Sequence, residues 1–401
     1  MDQVKCAVIG LGSRGYSILE WLLLKMDNVR VTAVCDKYQD RMERGVDSVL
    51  RAYGEKPFAS TDYREVLDSG KAEAVFILSS WDNHIPAALY AMERHVATAI
   101  EVGGAYKLED CWNLVRTQQR TGTPFMFLEN CCFGETEMLV LNMVRQGLFG
   151  DVMACSGGYM HDLRGEITHG RENRHYRLEN YLGRNCENYP THELGPIAMV
   201  LNINRGNLMT SLVSMGTASR GLNEYARRCS SVDKSLATAH FAQADIVETL
   251  ISCAGGQVIR LTLDTTLPRY YSRGFTVHGT KALFSGENNT FFMDRTDDQE
   301  GELPFHMNNH DEFAEKYRHP VWKKYIAEGV RGGHDGMDGL VYDRFVECVR
   351  LGLPCPIDVY DAAAWMAITP LSEWSLAHGS APVEIPDFTE GKWKTAKPVE
   401  F

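Results

Sequence analysis

At 401 residues, with 44% hydrophobic content and a formal net charge of −12, the chain is too long for one ordinary core, and two domains are expected. The acidic balance argues against nucleic acid or anionic membrane as a partner, and no apolar run approaches the ~18 residues of a membrane span. Eleven scattered cysteines without a Cys-x-x-Cys pair suggest neither a disulfide framework nor a zinc site, so no metal is expected. With an acid at Asp2 and the first apolar segment close behind it, no export signal is expected. The expectation is a reduced, cytoplasmic protein.

The first apolar segment runs into Gly10-Leu11-Gly12-Ser13-Arg14-Gly15, and an amphipathic stretch, Ser13 to Met26, follows. In a dinucleotide-binding unit Gly10 makes the tight turn, Gly12 admits the pyrophosphate, and Gly15 lets helix and strand pack closely. A second apolar strand, Val29 to Cys35, ends in Asp36, about 20 residues past the last glycine, where a ribose-binding acid belongs. A 2′-phosphate about 4 Å from that carboxylate would cost roughly 4 kcal/mol at an effective dielectric near 20. Asp36 therefore favours NAD over NADP, although Lys37 and Arg41 could blunt the penalty.

Helix over Gln39 to Tyr53 and again from Tyr63 to Ser69 precedes the short apolar strand Ala74 to Leu78. Ser79 to His84 follows as a turn at that strand's carboxyl end, where ligands bind in such sheets. A helix over Ile85 to Arg94, a strand over His95 to Ile100, Glu101-Val102-Gly103-Gly104, a helix over Leu108 to Thr121 and a strand over Pro124 to Leu128 complete the alternation. This predicts an α/β, doubly wound parallel sheet (a Rossmann domain, residues 1–130). After a helix from Glu135 to Gln146, strands are expected at Val152 to Met160, Thr210 to Ala218, Ile246 to Cys253, Val258 to Thr266 and Phe275 to Phe284. The last two are read as neighbours in an antiparallel meander. Late helices, about Asp338 to Leu351 and Asp361 to His378, make residues 131–401 an α+β domain with a large, open, mostly antiparallel sheet. The polar stretch from Gly165 to Asn188 reads equally as a substrate lid or as plain surface.

Polar and aromatic clusters gather in the second part: Tyr159 to Arg164, His175-Tyr176-Arg177, Tyr189 to His192, Arg269-Tyr270-Tyr271 and Gly332 to Asp338. Tyr and His are common proton carriers where a hydroxyl is oxidised. Any one of them alone is more often structural.

On these stretches the chain resembles the Gfo/Idh/MocA oxidoreductases, and more closely the NAD-dependent α-N-acetylgalactosaminidases of glycoside hydrolase family 109. The resemblance is carried by Tyr159-Met-His-Asp-Leu-Arg164, Tyr189-Pro-Thr-His192, Leu194-Gly-Pro196, Leu201-Asn-Ile-Asn-Arg-Gly206, Gly332-Gly-His-Asp-Gly-Met-Asp338 and Pro356 to Trp365, and it spans roughly Val4 to Trp393. It implies that Ser13, Arg14, Asp36, Trp81, Asn83, His84, Glu101, Val102 and Asn130 surround NAD. It implies that Tyr159, Tyr176, Tyr189, His192 and Tyr271 surround the sugar; His334 is counted with them, and from the Tyr and His clusters Tyr159, His161, Tyr189 and His192 are expected to be catalytic. Sugar dehydrogenases of the wider superfamily carry Glu-Lys-Pro after the fifth strand. Here Glu101-Val102-Gly103 stands instead, and their Asp-x-Gly-x-His pair has no counterpart. The resemblance therefore implies a glycosidase acting through transient oxidation at C3, with tightly held NAD. The alternatives are a sugar or polyol dehydrogenase and a non-catalytic NAD-bound sensor. Glu193 follows His192 where the family pattern suggests a small residue. By analogy a homo-oligomer is expected.

Overall fold

In the computed structural model residues 3–294 and 306–401 are described; Asp2, on which the reading of the amino terminus rests, lies outside them. The chain divides into two compact units. The first comprises 1–130, 329–366 and 400–401; the second comprises 131–328 and 367–399.

Six strands form the sheet of the first unit: β1 Val4–Ile9, β2 Val29–Cys35, β3 Phe58–Ser60, β4 Ala74–Ile77, β5 Ala97–Ile100 and β6 Phe125–Phe127. Their order is β3-β2-β1-β4-β5-β6 and every pairing is parallel. β4, β5 and β6 are buried throughout, as expected for strands covered on both faces. The order reverses between β1 and β4, so a crevice for ligand lies beyond their carboxyl ends.

The expected second domain, 131–401, gives up 329–366 to this unit, for a reason visible in the packing. Tyr342 stacks on Phe76 of β4 with centroids 5.2 Å apart, Phe345 meets the same ring edge-on at 5.3 Å, and Trp365 meets Phe127 of β6 at 6.1 Å. The Phe127 N–H also donates to the Ile357 carbonyl at 3.1 Å. A return of the chain over a distant sheet leaves no mark in local periodicity.

Two other boundaries move. The first helix is Ser13–Trp21, followed by a short 3₁₀ turn at Leu23–Lys25. The segment after β4 is helical from Trp81 to Met92, so the expected turn at Ser79 to His84 becomes largely that helix's first turn.

The second unit holds β7 Val152–Met160, β8 Met209–Gly216, β9 Ile246–Cys253, β10 Val258–Asp264, β11 Thr276–Gly279, β12 Ala282–Ser285, β13 Thr290–Met293 and β14 Val383–Glu384. They order as β13-β12-β11-β7-β10-β9-β8-β14. Only β7 and β10 pair in parallel. Phe275 to Phe284 is thus a hairpin of two strands rather than one, and β7 lies between β10 and β11, which were expected to be neighbours. Alternation is clear in β9, where Val247, Thr249, Ile251 and Cys253 are buried while Glu248, Leu250 and Ser252 are exposed.

The helix Thr191–Val200 is buried at every position but His192 and packs on β7. Its nearly continuous apolar run marks a core helix, which has no polar face to reveal its period. The expected helix from Asp361 to His378 is two, Val359–Met366 and Ile368–Ala377. Pro370 lies in the first turn of the second, where its missing N–H has no helical partner to lose. Helices at Gly221–Arg228, His310–Tyr317 and Pro320–Glu328 were not foreseen.

Candidate functional site

The glycine turn has the stereochemistry its spacing suggested. Gly10 has φ +95°, and a Cβ there would stand 2.6 Å from the backbone of Leu78 and Ser79. A Cβ on Gly15 would lie 1.9 Å from the Gly10 carbonyl oxygen. Gly12 differs: within 4 Å its added Cβ would meet only Arg41, at 3.6 Å. Two glycines are thus required by close packing, while the third leaves space in front of the helix amino terminus. That helix has no side-chain cap, so its first N–H groups are available to an anion. Asp36 is buried, and its carboxylate accepts from the Leu11 N–H at 2.7 Å and the Tyr38 N–H at 2.9 Å. These features fit a dinucleotide.

The other expected cofactor residues stand after β4, β5 and β6. Asn83 donates to the Ser79 hydroxyl at 3.1 Å, and buried His84 bonds the Ser79 carbonyl through Nε2 at 2.9 Å. Burial pushes the His84 pKa down, so its ring is neutral at neutral pH. The Trp81 ring lies where a Cβ on Gly103 would be, 2.3 Å from Cδ1, with Gly103 at φ +153°. Only glycine fits there, which gives Gly103, standing where the dehydrogenases have proline, a steric cause. The Val102 N–H donates to Glu101 Oε2 at 3.1 Å.

Arg14 donates to Asp338 through both terminal nitrogens, at 2.7 and 2.8 Å, and to Glu101 through Nε at 3.0 Å. Asn130 Nδ2 donates to Asp338 at 2.9 Å, His334 Nδ1 lies 2.8 Å from it, and the Tyr342 hydroxyl donates to Glu101 at 3.1 Å. Burial opposes ionisation of Asp338, but hydrogen bonds from Arg14 and His334 outweigh it and hold the carboxyl well below the usual range. His334, expected with the sugar residues, belongs to this unit and to this group. Asp338 and Tyr342 were missed. Asp338 stood inside the Gly332 to Asp338 motif, but its partners Arg14 and Asn130 are over 200 residues away and spacing could not reveal them.

In the second unit β7 delivers Tyr159, and the Tyr159 hydroxyl lies 3.1 Å from His161 Nδ1. The loop before Thr191–Val200 and that helix's first turn bring Tyr189 and His192. The Tyr159 ring centroid is 4.4 Å from Tyr189 and 5.5 Å from His192, with Tyr189 and His192 4.8 Å apart. Tyr271 meets His161 edge-on at 5.1 Å. All four expected catalytic residues are therefore together, with Tyr271 beside them. Tyr176 stacks on His175 at 4.6 Å.

Arg177, quoted in a cluster but given no role, is buried with its guanidinium 5.4 Å from the Tyr189 ring centroid and 6.0 Å from that of Tyr159, and it pairs with Glu166. The stretch from Gly165 to Asn188 thus holds helical turns at Arg164–Thr168 and Arg177–Gly183 that carry an ion pair between buried Arg177 and exposed Glu166. Burial raises the Tyr159 pKa while the Arg177 charge opposes that rise. Burial and the same arginine lower the pKa of His161, which leaves it neutral and able to accept a proton at neutral pH.

The unexpected Glu193 has a partner as well. Arg273 binds Glu137 at 2.6 Å and Glu193 at 3.3 Å. A Cβ on Gly157 would clash with Glu193 at 2.7 Å, and one on Gly134 would clash with Glu137 at 1.8 Å. The glycines make room for the two carboxylates.

Residues 133–395 match the C-terminal domain of glycosyl hydrolase 109, and residues 4–128 match the oxidoreductase family with an NAD-binding Rossmann fold. A glycosyl hydrolase family 109 protein of Stenotrophomonas maltophilia is 39% identical, over 99% of this chain and 91% of its own. The chain belongs to glycosyl hydrolase family 109. This hydrolase is also 36% identical to an alpha-N-acetylgalactosaminidase of Tannerella forsythia, over 97% of this chain and 87% of that one. Among solved structures its fold is similar to myo-inositol 2-dehydrogenase from Lactobacillus plantarum (TM-score 0.68, 14% identity, covering 96% of this chain and 100% of that one). It is also similar to a Lactobacillus casei myo-inositol dehydrogenase in complex with NAD(H) and myo-inositol (TM-score 0.63, 15% identity, covering 96% and 99%). The family 109 chain is thus a glycoside hydrolase whose first domain is of the nicotinamide-dinucleotide-binding Rossmann type. Among the described residues no helix is long and apolar enough to cross a membrane.

Proposed function

We propose that this hydrolase cleaves α-N-acetylgalactosaminides or closely related glycosides, with NAD as a catalytic cofactor that ends each turnover as it began. The observation that carries the reading is the group Tyr159, His161, Tyr189 and His192, with its buried arginine, in a unit of the family 109 type. The Tannerella relative's name supports the sugar. Asp36, fixed by two backbone N–H groups, supports NAD over NADP by the like-charge argument.

The glycine turn, Ser13, Asp36, Trp81, Asn83, His84, Glu101, Val102 and Asn130 would hold the dinucleotide. When bound, its nicotinamide supplies a hydride acceptor for C3 of the sugar and returns that hydride at the end. A ketone at C3 acidifies the C2 proton, and in this reading Tyr159 with His161 takes it. Neutral His161 accepts from the Tyr159 hydroxyl, and Arg177 stabilises negative charge on that phenol. The aglycone leaves from C1, water adds to C1 of the enone, and the same pair returns the proton to C2. Tyr189 and His192 orient the reacting hydroxyls, take the C3 hydroxyl proton as the hydride leaves and return it when the hydride comes back. No pair of carboxylates flanking the glycosidic bond is needed, unlike in most glycosidases.

Assay of a panel of chromogenic α- and β-glycosides, with simultaneous absorbance in the NADH band, tests this reading. Release of aglycone from N-acetylgalactosaminides without NADH accumulation is expected. NADH rising in proportion to sugar consumed, with no aglycone released, would identify a dehydrogenase and overturn it.

A further inference from the structure

The Gly332 to Asp338 motif takes no part in the chemistry above, yet its backbone is costly. His334 and Asp335 both adopt left-handed conformations, φ +50° and +54°, between glycines at +81° (Gly332) and +94° (Gly336). Side-chain-bearing residues keep such conformations only where surrounding contacts over-determine them. Those contacts converge on Asp338, in the first turn of the helix Met337–Leu351. Three donors from three places reach it: Arg14 from the glycine turn after β1, Asn130 from the end of β6, and His334 from the strained turn itself. Through Arg14 the group extends to Glu101 at the end of β5. One buried carboxylate therefore ties the carboxyl ends of β1, β5 and β6 together, across the edge where dinucleotides lie in such sheets.

We propose that Asp338 is a retention clasp for the dinucleotide: it fixes Arg14 and Asn130 so that the cofactor exchanges slowly between turnovers. The proposal rests on the cofactor reading above. A dehydrogenase must release its reduced cofactor each cycle, whereas a hydrolase that regenerates it gains from never letting go. The bidentate Arg14–Asp338 pair is charge-assisted and geometrically specific, and it has to move as a unit with Asn130 and His334. Asp338 touches neither sugar nor reacting atoms in this scheme. It is a positioning residue.

The test is exchange of bound cofactor, measured by incubating purified protein with isotopically labelled NAD and following label incorporation after rapid desalting. The parent protein is expected to retain its dinucleotide through desalting and to exchange it slowly. Asp338→Asn keeps the shape and removes the charge, and should exchange at least tenfold faster. Arg14→Lys keeps the charge but loses the fork, and should show an intermediate rate; it serves if Asp338→Asn fails to fold, which melting of the apo-protein would reveal. His334→Ala should accelerate exchange least. Exchange in Asp338→Asn, or in Arg14→Lys where the former is unfolded, within twofold of the parent would overturn the clasp while leaving the cofactor reading intact. A parent that binds no dinucleotide at all would overturn both.

Discussion

The two units each set an arginine next to residues expected to matter, one half-buried (Arg14) and one buried (Arg177), and the two are used differently. Arg14 faces two carboxylates, Asp338 in a two-pronged pair and Glu101 at its side. Arg177 pairs with Glu166 and also lies against the rings of Tyr159 and Tyr189. A guanidinium matched by two acids is locked in place and exerts little charge on its surroundings. One lying against phenols, with its paired acid exposed to solvent, stabilises the phenolate and disfavours the imidazolium. On the proposed reading the first unit holds the cofactor and the second acts on the sugar. Substitutions in the second unit should therefore strike turnover and its pH dependence, and substitutions in the first should strike cofactor binding.

The largest expected effect is at Tyr159. Tyr159→Phe should lower kcat by about 10²–10⁴-fold, the usual range for loss of a general acid or base, with bound dinucleotide and melting temperature unchanged. His192→Ala should approach the same loss. Activity of both variants within about threefold of the parent would show that the acting site has been misplaced.

Arg273→Gln comes next, and its readout is stability. It leaves Glu137 and Glu193 buried without their arginine, and breaking a buried pair from one side costs about 3–5 kcal/mol. Denaturant unfolding should register a loss of that order, partly restored by adding Glu193→Gln. An unaltered unfolding midpoint would mean that the pair carries no weight.

Arg177→Gln should lower kcat by about 10–100-fold and move the acid limb of the kcat/KM profile upward. The sign follows from His161: burial and Arg177 hold its pKa below the ordinary value, and activity that needs the neutral ring fails as pH falls through that pKa. Without the arginine the pKa rises and the failure begins at higher pH. A limb that stayed in place would remove Arg177 from the acting set.

In the first unit Asp36→Ala should cost about tenfold or more of the preference for NAD over NADP without moving that limb. Equal binding of both nucleotides by the parent would end the role given to Asp36.

The smallest effect contrasts with both arginines. Glu187 is a buried carboxylate whose Oε2 has no partner among the described residues, and burial raises its pKa to about 8. Its unfolded value is near 4.3, so the stability it permits is present below that pH and is lost as pH rises towards 8. Glu187→Gln should raise Tm at pH 8 by about 3 °C and leave it unchanged at pH 4. A parallel shift at both pH values would contradict the assignment.

Legibility of the chain followed the range of the interactions involved. The glycine turn, β2, Gln39 to Tyr53 and Leu108 to Thr121 were readable because local spacing and burial on both faces determine them. In the second unit the Tyr and His clusters were visible as composition, and the family resemblance supplied their roles. Hidden were partners that meet only after folding: Asp338 with Arg14, Tyr342 with Phe76, Glu193 with Arg273. The helix Thr191–Val200 was hidden for another reason, since a helix buried nearly all round has no polar face to betray its period.

The central claim, that hydrolysis passes through oxidation at C3, is tested most directly at C2. Cleavage of a chromogenic N-acetylgalactosaminide in D₂O, with the released sugar analysed by NMR, should give product carrying deuterium at C2, because that proton must leave and return in each turnover. A direct displacement at C1 never touches C2. Released sugar with protium at C2, from a substrate shown to be cleaved, would contradict the account.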